Sequence, residues 1–516
     1  MIKVFVSSTF NDLIKERKEL LDRLNATIEG MGVGMEDFYP DGTSSHEICI
    51  GKLRESQIAI ILISPKYRTF IDRCKIKNCK YKAQLNGCGI SYPHCEIRVT
   101  FAEKKLHQIY LVDKDWDILK ELKEWKKFDL QRVKKNRIFD GRDPAEIENY
   151  YSVAKNALEL KNEAEKSEFC KRVKDIENIS DITKHLANNI VKWYSEGELN
   201  LNDFFGRKKE LEGLIEKMPD SVEVYGVGGI GKTTLIHIAL IIQSLKGKKI
   251  ITVGTEQSYS SGSGYRYFNN EWKNLTLRTD IITIDDILTA LSVPENIKMS
   301  IGKDEKIRYI SQKLKNENAI LFIDDFHLAD YNVQKLLKSS GKIVIATKSR
   351  TGMARNEVQL LGIDKNYRDA LIEWIAEKNN KIVIPYAKKK IIQIADGHPV
   401  TTEILIKNYE KINFEELEEY KPKKFSNNKQ VEEFMERVVK GILSIQAFEL
   451  LKNLSIINPE LDSNIDRIAL EKTYSEDFDE TFNELIDASM LEKKSEGIYQ
   501  FTYKHIRDIL RLSDKC

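Results

Sequence analysis

The sequence has no long apolar run, and this absence excludes a membrane-spanning helix. Its longest apolar stretches, at 58–64 and 235–242, are far shorter than the ~20 residues that a helix needs to cross a bilayer. The first residues, MIKVFVSST, have the pattern of a strand and lack the apolar core and cleavage site of a secretory signal. We therefore expect a cytoplasmic protein without membrane contacts.

An excess of charge of one sign is missing too. The 82 Lys and Arg residues nearly balance the 80 Asp and Glu residues, which leaves a formal net charge of +2. This balance predicts no general affinity for nucleic acid or for acidic membranes. The 516 residues provide material for about three or four domains of ~100 to 200 residues each.

Cysteine is scarce, with 7 residues in the chain, so a dense disulfide framework is excluded. Cys74, Cys79 and Cys88 stand close together in a lysine-rich loop, and Cys95 or His94 follows. Their spacing allows a tetrahedral zinc site with one of the last two residues as the fourth ligand. The tight C-x2-C pairs of zinc knuckles are missing, so buried thiols remain the alternative.

The most informative motif is a glycine-rich loop between a predicted strand and a predicted helix. Residues 222–240 read VEVYGVGGIGKTTLIHIAL and contain the full G-x-x-x-x-G-K-[ST] pattern. The glycines let backbone N–H groups converge on phosphate oxygens, Lys232 can reach the β and γ phosphates, and the Thr233 hydroxyl can bind Mg²⁺. The pattern predicts a nucleotide site formed by Gly226, Val227, Gly228, Gly229, Ile230, Gly231, Lys232, Thr233 and Thr234.

A later apolar strand, AILFI at 319–323, ends in two aspartates, as expected after such a loop. We predict that Asp324 holds Mg²⁺ through its water shell and that Asp325 orients or deprotonates the attacking water. The next strand leads to Lys348 and Arg350, which are alternative contacts for a γ-phosphate. No N/T-K-x-D motif follows that strand, so guanine is disfavoured.

Four segments in order resemble the STAND class of signal-transducing ATPases, especially its NB-ARC and NACHT group. They are FFGRKKEL at 204–211, the glycine loop, FIDDFH at 322–327 and ADGHPV at 395–400. The resemblance covers roughly 204–516 and implies a switch that binds ATP or ADP with Mg²⁺ and hydrolyses ATP slowly. It also implies that adenine contacts Phe205, Gly206, Arg207 and, in a helical lid, Pro399.

The segment 431–516 has amphipathic helices followed by a GIYQF strand, which indicates a winged helix, as in this class. Relatives use a histidine in an F-T-H-D-L-I-R-D motif to hold the ADP phosphate, and Tyr503 stands at that position here. The resemblance therefore implies a weaker hold on ADP. The segment has 11 Lys and Arg against 18 Asp and Glu, and this balance of 11 − 18 = −7 disfavours a DNA-binding transcription regulator.

Strands and helices alternate in the first part of the chain, which favours a parallel sheet covered by helices on both faces. VFVS at 4–7 and SYPHCE at 91–96 resemble segments of TIR domains, and more specifically of the TIR-like domain of unknown function that often precedes STAND ATPases. This resemblance implies a flavodoxin-like fold that a helix near Trp193 closes. The predicted strands lie at 3–9, 58–64 and 105–113.

Glu96 falls where NAD-cleaving TIR domains have their catalytic glutamate, and we expect it to face a cleft. One carboxylate suits that chemistry because it stabilises the positive charge that develops on the ribose as nicotinamide leaves NAD⁺. In the alternative, the domain only recruits partners and Glu96 has no chemical role. Both alternatives remain open.

These features predict an α/β protein in which a flavodoxin-like parallel sheet precedes a P-loop NTPase. The expected function is an ATP-dependent switch that self-associates on binding ATP and activates or presents its N-terminal domain, which the resemblance sets in prokaryotic defence or stress signalling. An ATP-gated NAD hydrolase using Glu96 is the alternative. The expected partners are further copies of the chain and a trigger protein or ligand that no motif identifies. The predicted parts are a TIR-like domain at 1–195 with a Cys-rich insert near 68–95, a linker at 196–204, an NTPase core at 205–350, a lid at 351–425 and a winged helix at 431–516.

Overall fold

The computed structural model forms two compact units. The first holds Met1–Asn202 and Leu245–Gly247, and the second holds Asp203–Ser244 and Lys248–Cys516. The residues that the structure describes are 2–8, 13–28, 30–34, 45–64, 91–112, 157–173, 179–199, 204–255, 273–277, 281–422, 428–457, 465–471 and 478–512.

The first unit contains a five-stranded parallel sheet with the order β2-β1-β3-β4-β5. This is the flavodoxin-like order that the sequence predicts. Every residue of β1 (VFVSS) and of β3 (IAIILI) is buried, as expected for strands with helices on both faces. The elements are β1 (Val4–Ser8), α1 (Ile14–Thr27), β2 (Gly32–Val33), α2 (Ser45–Glu55), β3 (Ile58–Ile63), α3 (Tyr92–Ala102), β4 (Leu106–Val112), a helical stretch at 157–164, β5 (Cys170–Val173) and α4 (Ile179–Glu196).

The second unit begins with a six-stranded sheet in which all strands are parallel, in the order β11-β6-β10-β9-β7-β8. The α/β fold class predicted from the sequence is thus confirmed. The elements are α5 (Lys208–Lys217), β6 (Val222–Tyr225), α6 (Lys232–Leu245), β7 (Lys249–Thr255), β8 (Lys273–Leu277), α7 (Ile284–Ala290), α8 (Glu295–Ser300), α9 (Lys303–Asn316), β9 (Ala319–Ile323), a 3-10 turn (Phe326–Leu328), α10 (Tyr331–Ser339), β10 (Ile343–Thr347) and β11 (Asn356–Gln359).

The NTPase sheet extends further along the chain than the sequence predicts. The predicted core ends at residue 350, whereas β11 pairs with β6 and starts opposite Val222. This strand reads NEVQ and only Val358 in it is buried, so it carries no apolar signal. A polar edge strand of this kind cannot be recognised from periodicity.

Helices form the next part of the second unit, and a small antiparallel sheet with the order β12-β14-β13 follows. The hairpin of β13 and β14 provides the β-wing expected from GIYQF. The elements are α11 (Lys365–Lys378), α12 (Pro385–Ala395), α13 (Pro399–Asn408), α14 (Phe414–Tyr420), α15 (Asn428–Ile442), α16 (Ile445–Ile457), β12 (Ile465–Asp466), α17 (Arg467–Glu471), α18 (Phe478–Asp487), β13 (Leu491–Ser495), β14 (Ile498–Phe501) and α19 (Lys504–Leu512).

Candidate nucleotide site

The glycine-rich loop connects the carboxyl end of β6 to the amino end of α6. Gly226 has a φ of 157°, and a Cβ atom there would lie 2.6 Å from the Leu360 carbonyl oxygen, so no larger residue fits. Lys232, Thr233 and Thr234 form the first turn of α6, and the backbone N–H groups and the dipole at the start of a helix favour an anion. The strand, loop and helix therefore have the arrangement that phosphate binding requires.

Lys232 lies across this loop. Its Nζ donates to the carbonyl oxygens of Gly226, at 2.7 Å, and of Val227, at 2.9 Å. The ammonium group is thus held against the backbone of the first two loop residues. Phosphate oxygens bound there would provide charged acceptors, which form stronger hydrogen bonds than neutral carbonyls.

Thr233 and Asp324 come together from separate elements. The Thr233 hydroxyl lies 3.4 and 3.3 Å from the two carboxylate oxygens of Asp324, which is buried just after β9. A hydroxyl and a carboxylate are hard oxygen ligands of the kind that Mg²⁺ prefers beside bound phosphate. Asp325 follows in a left-handed conformation (φ 48°), and its N–H donates to Asp324 Oδ1 at 3.0 Å. These residues fit a Mg²⁺–nucleotide complex.

The segment before α5 contacts both the loop and the lid. Arg207 is buried, and its Nη2 donates to the Ile230 carbonyl oxygen at 3.0 Å while its Nη1 pairs with Glu210. The Phe205 ring lies 5.3 Å, centroid to centroid, from the ring of Trp374 in α11. A Cβ atom on Gly206 would lie 2.9 Å from the Tyr367 ring. Three residues predicted to contact adenine thus lie between the loop and the lid.

The lid reaches the phosphate loop through His398, a residue that the sequence analysis missed. His398 is fully buried immediately before Pro399, and its Nε2 lies 2.7 Å from the Gly228 carbonyl oxygen. Its Nδ1 faces the Thr401 backbone N–H at 3.2 Å, so Nδ1 accepts and Nε2 carries the proton. Burial lowers the pKa of His398 to about 4, which keeps the ring neutral at pH 7.

Arg350 is exposed and forms an ion pair with Glu357, with Nε 2.8 Å from Oε2. The register that aligns Thr347 with Tyr225 places the ends of β10 and β6 at the same edge of the sheet. Lys348 and Arg350 therefore follow β10 at the edge that carries the glycine loop. Which of them contacts a phosphate stays a prediction.

Tyr503, at the position where relatives carry a histidine, contacts the lid. Its side chain is buried, and its hydroxyl oxygen accepts a hydrogen bond from Lys407 Nζ at 3.0 Å. Asn408 Nδ2 donates to the Ala488 carbonyl oxygen at 3.2 Å in the same region. These bonds attach the C-terminal part of the unit to the end of α13.

Glu96 does not face a cleft in the described structure, which corrects that expectation. It lies on α3 with 3% of its surface exposed, and it accepts a hydrogen bond from the Ser7 hydroxyl at the end of β1. Burial raises the pKa of Glu96 to about 7. Arg17, which is also buried, donates to the Ser8 hydroxyl at 2.8 Å, and its positive charge opposes the rise in the pKa of Glu96. Helical periodicity did not reveal this burial because β1 is distant in sequence.

The predicted zinc ligands lie mostly outside the described residues, since only Cys95 and His94 fall within them. Cys95 is buried with its Sγ 3.3 Å from His46 Nε2, and His94 Nε2 lies 3.2 Å from Glu163 Oε2. Within the described ranges, no group of three or more His, Cys, Asp or Glu side chains could hold a metal ion. The zinc site stays a prediction, as do Cys74, Cys79 and Cys88 as its ligands.

No helix in the described parts of the chain is both long enough and apolar enough to span a membrane.

Comparisons with known proteins give one family match, in the first unit. Residues 3–168 match the family described as "Domain of unknown function (DUF4062)". No curated protein matches the chain.

Solved structures with partial similarity include a Walker-type ATPase of Pyrococcus abyssi, with 14% identity over 60% of this chain and 96% of that one and a TM-score of 0.30. The RuvB Holliday junction branch migration motor of Thermotoga maritima shows 18% identity over 62% and 94%, with a TM-score of 0.26. NtrX from Brucella abortus, solved with ATP, shows 11% identity over 95% and 100%, with a TM-score of 0.26. These similarities are weak, so the site is assigned from this chain's own residues. Its loop, lysine and paired Thr233 and Asp324 give the second unit the fold of a P-loop NTPase and form its candidate nucleotide site.

Proposed function

We propose that this chain is an ATP-dependent molecular switch of the STAND type, in which the nucleotide controls the arrangement of the lid and the C-terminal module. The observation that carries the proposal is the position of α13. His398, which caps its start, bonds to the phosphate loop, and its last turn bonds to the C-terminal module through Lys407 and Asn408. One helix therefore connects the nucleotide site to the last domain.

The physical argument rests on the rigidity of that helix. A helix of 10 residues is about 15 Å long and moves as a body. A phosphate bound in the loop attracts Lys232 from the carbonyl oxygens of Gly226 and Val227 and alters the loop that also carries Gly228. His398 transmits such a change to α13, because its side chain is buried and its Nε2 lies 2.7 Å from the Gly228 carbonyl oxygen. A ligand shifts a two-state equilibrium in this way when its affinity differs between the states.

ATP hydrolysis would use the residues that directly follow β9 and those in the first turn of α6. ATP with Mg²⁺ supplies the reacting phosphate, and the ion would be held by Thr233 and Asp324. Asp325 is the base candidate because it directly follows Asp324 at the carboxyl edge of the sheet, where ligands of open α/β sheets bind. Slow turnover fits a switch, since the bound nucleotide then sets how long the active state lasts.

The test is the mass of the full-length protein by analytical ultracentrifugation in Mg·ADP and in Mg·ATP. We expect a larger assembly in Mg·ATP than in Mg·ADP. The difference should be clearest in an Asp325→Asn variant, because slower hydrolysis would let it hold ATP longer. Lys232→Ala, which loses a phosphate contact, should show the same smaller mass in both nucleotides. Equal masses in both nucleotides, in a preparation that binds each of them, would contradict the switch and leave a nucleotide-binding scaffold.

A second candidate function is NAD⁺ cleavage by the first unit, in which water attacks the ribose carbon and gives a proton to the Glu96 carboxylate, the N-glycosidic bond breaks, and nicotinamide leaves with its electron pair. The observation that favours it is Glu96, whose pKa of about 7 suits proton transfer at neutral pH. Glu96 also contacts the end of β1, beside the β1–β3 switch point of the sheet, where such folds bind ligands. Its burial requires an opening before substrate reaches it. NAD⁺ loss that needs ATP and disappears in Glu96→Gln would support this activity, and its absence in assembled protein would support partner recruitment.

A further inference from the structure

Glu223 is a buried carboxylate on the strand next to the β11 edge of the NTPase sheet, and none of the roles above explains it. It lies on β6, three residues before Gly226, and its side chain has no exposed surface. Its two oxygens accept four hydrogen bonds. The donors are the Thr347 hydroxyl at 3.2 Å, the Thr351 hydroxyl at 3.0 Å, the Gly352 backbone N–H at 3.0 Å and the Thr351 backbone N–H.

All four donors belong to one short stretch of chain that begins at the end of β10. Residues 348–355, termed here the crossover segment, join β10 to β11. Because β11 is parallel to β6 and starts opposite Val222, this segment must return across β6 from the carboxyl edge of the sheet to its amino edge. Glu223 is the side chain over which it crosses. The same segment carries Lys348 and Arg350, the two candidates for contact with a γ-phosphate.

A buried carboxylate is costly in free energy unless hydrogen bonds replace its hydration. Here the replacing bonds come from the backbone and hydroxyl groups of the crossover segment and from Thr347. A glutamate that only filled space in the sheet would be replaceable by an apolar residue at lower cost. The three bonds from Thr351 and Gly352 instead fix where the crossover segment lies relative to the strand that leads into the phosphate loop.

We propose that Glu223 is a positioning residue that holds the crossover segment so that its cation contacts the γ-phosphate, which makes Glu223 a determinant of ATP over ADP. The inference rests on the proposed function. Glu223 acts through Lys348 or Arg350 and touches no nucleotide itself. ADP lacks the γ-phosphate, so its binding depends on the loop and Lys232 and not on the crossover segment.

The first test is Glu223→Gln in the full-length chain, with the dissociation constants of Mg·AMP-PNP and Mg·ADP measured by calorimetry. The amide places N–H groups where one carboxylate oxygen now accepts, which leaves the backbone N–H of Gly352 or of Thr351 facing another donor. We expect the ratio of the ADP to the AMP-PNP dissociation constant to fall about tenfold, the effect of one buried unsatisfied donor. ADP binding should stay within about twofold of the wild type, because the lost bonds lie outside the loop.

The matched control is Asp286→Asn, which makes the same change at a carboxylate that accepts from the Thr283 N–H and hydroxyl at the start of α7. Its nucleotide ratio should equal that of the wild type. Thr351→Val removes the hydroxyl that donates to Glu223 and so tests the same contact from the donor side. Thr351 is exposed, so its replacement leaves the sheet intact. It should lower the ratio by about threefold, since one of the four bonds is lost.

A variant cycle separates positioning from general structural damage. In a Lys348→Ala, Arg350→Ala background, Glu223→Gln should change the ratio no further, because the cation that it positions is gone. If Glu223→Gln does not fold, the same comparison is made with Thr351→Val in the wild type and in the Lys348→Ala, Arg350→Ala double variant. If the wild type binds both nucleotides, this inference alone is overturned when Glu223→Gln leaves the ratio of dissociation constants unchanged or weakens both affinities equally. A wild type that binds neither nucleotide overturns the proposed function as well.

Discussion

The imidazole of His398 joins the lid to the phosphate loop through a hydrogen bond of 2.7 Å from its Nε2 to the carbonyl oxygen of Gly228. The other ring nitrogen caps α13 by accepting from the Thr401 N–H, so one side chain fixes both the start of a helix and its contact with the nucleotide site. Gly397 precedes it with a φ of 77°, and a Cβ there would lie 2.3 Å from the Ile363 carbonyl oxygen. The turn is therefore tightly built around this histidine.

His398→Asn separates these two roles. Asparagine is a good helix N-cap, and it is too short to reach Gly228. We expect α13 to remain folded while a fluorescent ADP analogue leaves about fivefold faster in stopped-flow experiments, which corresponds to one lost neutral hydrogen bond of ~1 kcal/mol. His398→Ala should release ADP equally fast and also destabilise the start of α13. Release from His398→Asn at the wild-type rate would show that the bond does not couple the lid to the loop.

The pH dependence of stability tests the burial of Glu96. The pKa of Glu96 is about 7 in the folded state and lies near 4.5 when the group is exposed, so the folded state binds the proton more tightly. The stabilising contribution of Glu96 to the free energy of unfolding is thus fully present below pH 4.5 and is lost as pH rises through 7. At pH 8.5 the free energy of unfolding of Glu96→Gln should therefore exceed that of the wild type by on the order of 3 kcal/mol, and its melting temperature should be higher. At pH 5 the two proteins should melt at similar temperatures. Parallel melting profiles across this range would place Glu96 in water.

Tyr503 tests the attachment of the C-terminal module to α13. Tyr503→Phe removes the acceptor of the Lys407 hydrogen bond and keeps the ring under the ammonium group, 5.3 Å from Nζ. We expect a loss of about 1 kcal/mol, seen as roughly fivefold faster amide hydrogen exchange at the end of α13. Tyr331→Phe, at a ring with 76% of its surface exposed, is the control and should change nothing. Unchanged exchange in Tyr503→Phe would show that the Tyr503 hydroxyl does not help to hold the module.

The sequence predicted the parts of the site that are local in the chain. The glycine loop, Lys232 and the strand that ends just before Asp324 could be recognised because each is encoded within a few consecutive residues. Contacts across the sheet or between the core and the lid could not be recognised. His398 and Gly228 are 170 positions apart, and Glu223 and Thr351 are 128 apart. The polar edge strand β11 and the burial of Glu96 were missed for the same reason, since both depend on pairing with distant strands.

The most direct test of the account is calorimetric binding of ATP to the full-length protein, with Mg²⁺ and with EDTA, for the wild type, Lys232→Ala and Lys248→Ala. Lys248 is the matched control, because it stands directly before β7 and donates to Asn318, at the edge of the sheet opposite the phosphate loop. We predict Mg²⁺-dependent binding to the wild type and to Lys248→Ala, and at least tenfold weaker binding to Lys232→Ala, which loses a charged hydrogen bond to phosphate. Equal binding by all three proteins, or no binding by any, would contradict the assignment of the nucleotide site.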